Sequence, residues 1–162
     1  MPLSDDQLRA IGRITVHFNE LELGMNILVW GFINDDLDIG VTVLEGEPFS
    51  RVLEQLKKLS KPLFREDAEL LDRIQQWSQR TNDVLERRNA VIHAQWAPDW
   101  PSGEMVGRRI LGKRRRIREI EASPTELNRL ADDIMGVSKE LRLIAVATLV
   151  PPPRPWLRER PS

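Results

Sequence analysis

At 162 residues the chain has the length of one domain, and 41% hydrophobic against 30% charged residues argues against wholesale disorder. The absence of cysteine excludes a disulfide scaffold, an Fe–S cluster, a thiolate nucleophile and any thiolate-bound zinc, and two histidines, His17 and His93, exclude a multi-histidine metal site within one chain. The net charge of −1 hides a polarised distribution: residues 1–47 carry nine acidic side chains against two arginines, whereas 108–118 hold Arg108, Arg109, Lys113, Arg114, Arg115, Arg116 and Arg118 with no acid among them.

The start, MPLSDDQLRA, has no basic stretch leading into an apolar one, so no signal peptide is expected. Ser4 and Gln7 form a capping box, and Leu8, Ile11, Ile14, Phe18, Leu21, Met25, Leu28 and Phe32 follow at helical spacing. The first helix is therefore expected over 5–33, closed by Asn34-Asp35-Asp36. Residues 38–46 read equally as a short helix or an extended piece. A second helix is expected over 49–60, with Phe49, Val52, Leu53, Leu56 and Leu59 on one face and Pro62 marking its end or a kink.

The third helix starts near Glu66, with a stripe of Leu70, Leu71, Ile74, Trp77, Thr81, Val84, Leu85, Arg88, Val91 and Ile92. Residues 97–103, APDWPSG, read as a turn-rich loop. Two short runs, 104–111 and 114–122, flank Gly112-Lys113 and suggest a β-hairpin. Ser123-Pro124-Thr125-Glu126 caps a last helix over 124–148. PPPRPWLRERPS cannot continue it, so 151–162 is expected to be a Pro-rich extended tail. The expected fold is all-α in the broad sense: one domain over 1–150, an antiparallel bundle of four to five helices with a small hairpin before the last one. The longest uncharged apolar runs, 27–33 and 143–150, are too short to span a bilayer, so a cytoplasmic location without membrane contact is expected.

Arg88 is the anomaly. At 100° per residue it falls in the middle of the third helix's apolar stripe, between Val84 and Ile92. A guanidinium there must be paired or must face something other than the chain's own core. Asn89 and His93 are four apart on one side, so a helix can present Arg88, Asn89 and His93 around one concavity if a second surface approaches that edge. Imidazole titrates near neutrality and can both take and give a proton, and arginine contacts phosphate through two parallel bonds.

The run Arg88-Asn89-Ala90-Val91-Ile92-His93, inside ERRNAVIHAQW, resembles the Arg-(Asn/Asp/His)-x(3–5)-His motif of HEPN domains (higher eukaryotes and prokaryotes nucleotide-binding). The likeness extends to its place late in a long helix of a small helical bundle. It extends also to a carboxylate on the apolar side of the first helix, Glu22 between Phe18, Met25 and Val29; it covers about 5–148. The resemblance implies a homodimer in which two motif helices meet, and a metal-independent endoribonuclease, a toxin or defence component with an antitoxin or other protein partner. His93 would be general acid or base, Arg88 would hold phosphoryl oxygens, Asn89 would orient either, and Glu22 would position Arg88. The product would be a 2′,3′-cyclic phosphate, which DNA cannot form. The alternative is a non-catalytic HEPN-like module binding nucleotide, RNA or a protein. A third reading is a structural helical dimer with Arg88 paired to Glu22. No cofactor or metal is expected.

The basic residues of 108–118 read either as RNA-phosphate contacts or as a solvated sheet edge. Trp96 and Trp100 stack on bases or cover the end of the bundle. His17 has no partner pattern and reads as a helix-surface residue.

Overall fold

In the computed structural model, the residues described are 3–33, 42, 44–103, 105–111, 116–120 and 123–149. The chain is mainly α. Helix α1 spans Asp5–Ile33, α2 Phe49–Leu63, α3 Ala68–Ile92 and α4 Pro124–Leu149; strands β1 Gln95–Pro98, β2 Met105–Leu111 and β3 Arg116–Ile120 lie between α3 and α4. Residues 34–41 and 43, the Gly112-Lys113 turn and the tail 151–162 lie outside the described residues.

The helix starts follow local chemistry. The Ser4 hydroxyl accepts from the Gln7 N–H at 3.2 Å while the Gln7 side chain accepts from the Ser4 N–H at 2.9 Å, a reciprocal capping box. Asp67 caps α3 by accepting from the Leu70 N–H at 2.9 Å, so α3 begins two residues later than Glu66. Ser123 accepts from the Glu126 N–H at 3.3 Å at the start of α4. Pro62 does not end α2: the helix runs on to Leu63, and the Phe64 N–H closes it on the Ser60 carbonyl. A proline this near the C-terminus removes one backbone bond and leaves the preceding turns intact.

Ile14, Phe18, Leu21, Met25, Leu28, Val29 and Phe32 of α1 form one wall of the core, against Leu53 and Leu56 of α2, Ile74 and Trp77 of α3, and Leu127, Ile134, Leu141 and Ile144 of α4. Leu8, expected in the α1 stripe, is instead exposed. Successive residues advance by about 100° around the helix, which puts Leu8 outside the arc that Ala10 and Ile14 bury.

The polarity of the helices departs from an alternating antiparallel bundle. Arg13 bonds Asn128 and Asp132, Gly24 lies against Leu141, and Gly31 lies against Leu149, so α1 and α4 run the same way. Phe18 packs at a tilt against Phe49, and Phe32 packs edge-on against Phe64, so α1 and α2 also run the same way. The pairs Trp77–Val137, Arg80–Glu140 and Arg87–Asp133 run in opposite order, which sets α3 against α4. The α1–α2 link over 34–48 can reach about 50 Å when extended, more than the ~44 Å length of α1, so it permits the return crossing.

The sheet is three-stranded and antiparallel, in the order β1-β2-β3, rather than a two-stranded hairpin. Residues 95–98 extend and pair with β2, Gln95 opposite Arg108 and Pro98 opposite Met105. Gly103, with φ of +73°, makes the β1–β2 turn and donates its N–H to the Asp99 carbonyl. A side chain at Gly107 would meet the Trp96 ring, so glycine leaves room for this indole beside β2, where it packs against the core.

Candidate functional site

The C-terminal third of α3, the middle of α1 and the start of α2 converge on a cavity of about 250 Å³ lined by Phe18, Glu22, Pro48, Phe49, Ser50, Leu85, Arg88 and Asn89. Arg88 reaches it because its helical angle lies within the α3 stripe, and Phe18 and Glu22 reach it one turn apart on α1. The Arg88 Cζ stands 4.5 Å from the centre of the Phe18 ring. Phe18 in turn rests on Phe49, with ring centres 4.8 Å apart. The cation is thus held over the Phe18 ring, which a tilted contact with Phe49 supports, and a cation–ring contact of this kind is worth about 0.5–2 kcal/mol.

The polar partners of Arg88 are few. One terminal nitrogen donates to the Asn89 side-chain oxygen at 3.0 Å. Its Nε is buried and has no acceptor. Burial lowers its pKa from the ordinary arginine value, and the Glu22 carboxylate opposes that shift through space. No ion pair within 4.0 Å joins Arg88 to Glu22 or to another acid among the described residues. Arginine stays protonated despite such a shift, so the half-buried side chain brings a partly desolvated positive charge with spare donor capacity to the cavity. The chemistry of such a site suits an oxyanion of phosphate or carboxylate type.

His93 is placed differently. It is the C-cap of α3, its backbone N–H bonds the Asn89 carbonyl at 3.2 Å, and its side chain is exposed. It does not line the cavity. Within one chain, Arg88, Asn89 and Glu22 come together and His93 stands outside them. Phe18 and Phe49, whose spacing predicts core positions, also line the cavity, together with Pro48 and Ser50 at the start of α2. The one signal in the sequence is the i, i+4 spacing of Phe18 and Glu22, which puts an aromatic face beside a carboxylate.

The basic cluster is partly neutralised. Arg108 bonds Asp99 at 3.0 Å and Glu119 at 3.4 Å. Arg109 is half-buried and its register partner is Arg118, while Arg116 pairs in register with Leu111. Lys113, Arg114 and Arg115 lie outside the described residues. No β residue lines the Arg88 cavity. Trp96 covers the core and Trp100 is 94% exposed. His17 is half-buried, 3.6 Å from Glu20. A larger cavity of about 380 Å³ between α3, β3 and α4 carries Asp83, Glu86, Glu119 and Glu126 against the single cation Arg87, an acidic excess that disfavours phosphate. Among the described residues, no group of three His, Asp or Glu side chains is placed to hold a metal ion, and no helix is long and apolar enough to cross a membrane. Compared with known family models, with curated proteins and with solved structures, the chain finds no significant match in any of the three.

Proposed function

We propose that the chain is a metal-independent endoribonuclease of HEPN type, in which Arg88 holds a phosphoryl group and His93 moves the proton. The observation that supports this reading is the Arg88 guanidinium itself, poised over Phe18 in an open cavity with no ionic partner among the described residues. A purely structural arginine at this depth is normally ion-paired. In this reading the 2′-hydroxyl of the substrate attacks the adjacent phosphorus, the 5′-oxygen leaves, and imidazole removes or returns the proton. Arg88 offsets the charge that develops on the non-bridging oxygens. Asn89 holds the guanidinium in place through its 3.0 Å bond. A second chain meeting the α3 edge would bring another His93 towards the first Arg88, which a single chain does not do. The reading extends to a toxin or defence role with a neutralising protein partner.

The exposed position of His93 favours a second reading, a non-catalytic module that binds RNA or nucleotide phosphate through Arg88. Incubation of a mixed-sequence RNA and an all-deoxy strand in EDTA, with wild type, Arg88→Ala and His93→Ala, separates the two. The nuclease reading expects cleavage of RNA alone, with cyclic phosphate ends, lost in both variants. Binding without turnover, lost in Arg88→Ala and kept in His93→Ala, assigns the binding module. Neither cleavage nor binding overturns both.

A further inference from the structure

We propose that the outer face of α1 and α4 is a self-association surface that takes a second copy of this chain, α1 against the partner's α4, about a two-fold axis parallel to the helices. The proposal is independent of the chemistry at Arg88 and uses a different face from the α3 edge.

Three observations carry it. Val16, Leu23 and Ile27 of α1 and Leu143 and Val146 of α4 are between 46% and 61% exposed, and Leu149 is 37% exposed. These are large apolar side chains on the sides of both helices turned away from the core stripe. They form one surface, because α1 and α4 run parallel with Gly24 level with Leu141 and Gly31 level with Leu149. That register sets Leu23 and Ile27 within about a turn of Leu143 and Val146. A contiguous apolar face of this kind marks an interaction site rather than scattered surface residues.

The second observation is contrast. The exposed residues of α3 are polar or charged apart from Ala68 at its start, among them Asp72, Gln76, Arg80, Asp83 and Glu86, and no large apolar side chain is exposed there. The apolar surface is therefore a property of α1 and α4, not of the helices in general.

The third is charge. Glu20 lies on the α4 side of α1, level with about residue 137 of α4, and Lys139 lies on the α1 side of α4. Lys139 and Arg142 are exposed and have no ion-pair partner among the described residues. A two-fold axis along the helices preserves level, so Leu23 and Ile27 meet the partner subunit's Leu143 and Val146, and Glu20 meets the partner subunit's Lys139. The face is self-complementary in both shape class and sign, which an isologous interface requires.

Sedimentation analysis of the full chain tests this. Wild type is expected to dimerise below about 100 µM. Leu23→Glu with Leu143→Glu is expected to lose this association step, halving the assembled mass whether or not the α3 edge also pairs, with an unchanged helical circular dichroism spectrum, since both positions are exposed. Glu20→Lys and Lys139→Glu alone are each expected to weaken the dimer at least about fivefold. An equimolar mixture of those two variants is expected to recover it, because each contact then joins opposite charges across chains. A wild-type monomer at that concentration, dimerisation unaffected by the Leu23/Leu143 pair, or a mixture no tighter than its components overturns the proposal. A chain that dimerises only after removal of 150–162 assigns the face to its own C-terminal segment and overturns it as well.

Discussion

The guanidinium of Arg88 sits 4.5 Å over the ring of Phe18, joining the late part of α3 to the middle of α1 without an ion pair. Two opposing terms meet in this contact. Burial disfavours the charge, and the ring face together with the through-space field of Glu22 favours it. The result is a cation whose charge is not cancelled by contact and whose remaining donors open onto the cavity.

Replacing Arg88 by Met discriminates a binding role from a structural one. Methionine keeps the length and apolar stem over Phe18 and removes both the desolvated charge and its ring contact. Because no ion pair is broken, these losses and gains nearly offset, and the unfolding free energy is expected within about 1 kcal/mol of wild type. Were Arg88 a member of a buried ion pair with Glu22, the loss would be about 3–5 kcal/mol. Urea unfolding measures the difference. Binding of a short RNA is expected to fall by at least about tenfold, the effect of losing one charge-assisted phosphate contact.

Glu22 lines the same cavity, yet it touches Arg88 with no ion pair. It therefore screens the cation more than it holds it. Glu22→Gln keeps the shape and removes the negative charge that an incoming phosphate meets. Affinity for inorganic phosphate, read by calorimetry at low salt, is expected to rise about three- to tenfold, as one like charge is removed at short range. The gain should shrink as salt is added. A weaker phosphate complex would mean instead that Glu22 positions the guanidinium.

Much of this was legible in the residues, and the reasons it was legible are local. Ser4 with Gln7 and Ser123 with Glu126 announce helix starts because a hydroxyl followed three residues later by Gln or Glu, just before an apolar run, is the pattern of a capping box. Arg88 stands out because angular position depends only on counting residues. What was hidden depends on distant residues. The parallel course of α1 and α4 rests on long links that permit either direction. Strand β1 shows no alternation, begins two residues after His93 and ends at Pro98, so only its pairing with β2 identifies it. Phe18 has the spacing of a core residue and is one; that its other face carries a cation needs the packing of α3. Arg108 reads as a free charge until β2–β3 register sets it opposite Glu119.

Trp77 provides a test of the packing that holds the site in place. It is fully buried, and its indole N–H donates to the Val137 carbonyl of α4 at 2.9 Å, which fixes the height of α3 against α4 and so the height of Arg88 against Phe18. Trp77→Phe removes that bond and leaves a void where the second ring was. The two losses together are expected to cost about 2–3 kcal/mol in urea unfolding, with an unchanged denaturant slope. Arg80 and Glu140 join the same two helices at 2.6 Å, but at the solvent edge, and Arg80→Ala is expected to cost less than about 1 kcal/mol. The contrast between the two variants separates buried from exposed ties on one helix pair. Equal costs would show that α3 is not held at its height by the indole, and that the position of Arg88 rests on the α1 contact alone.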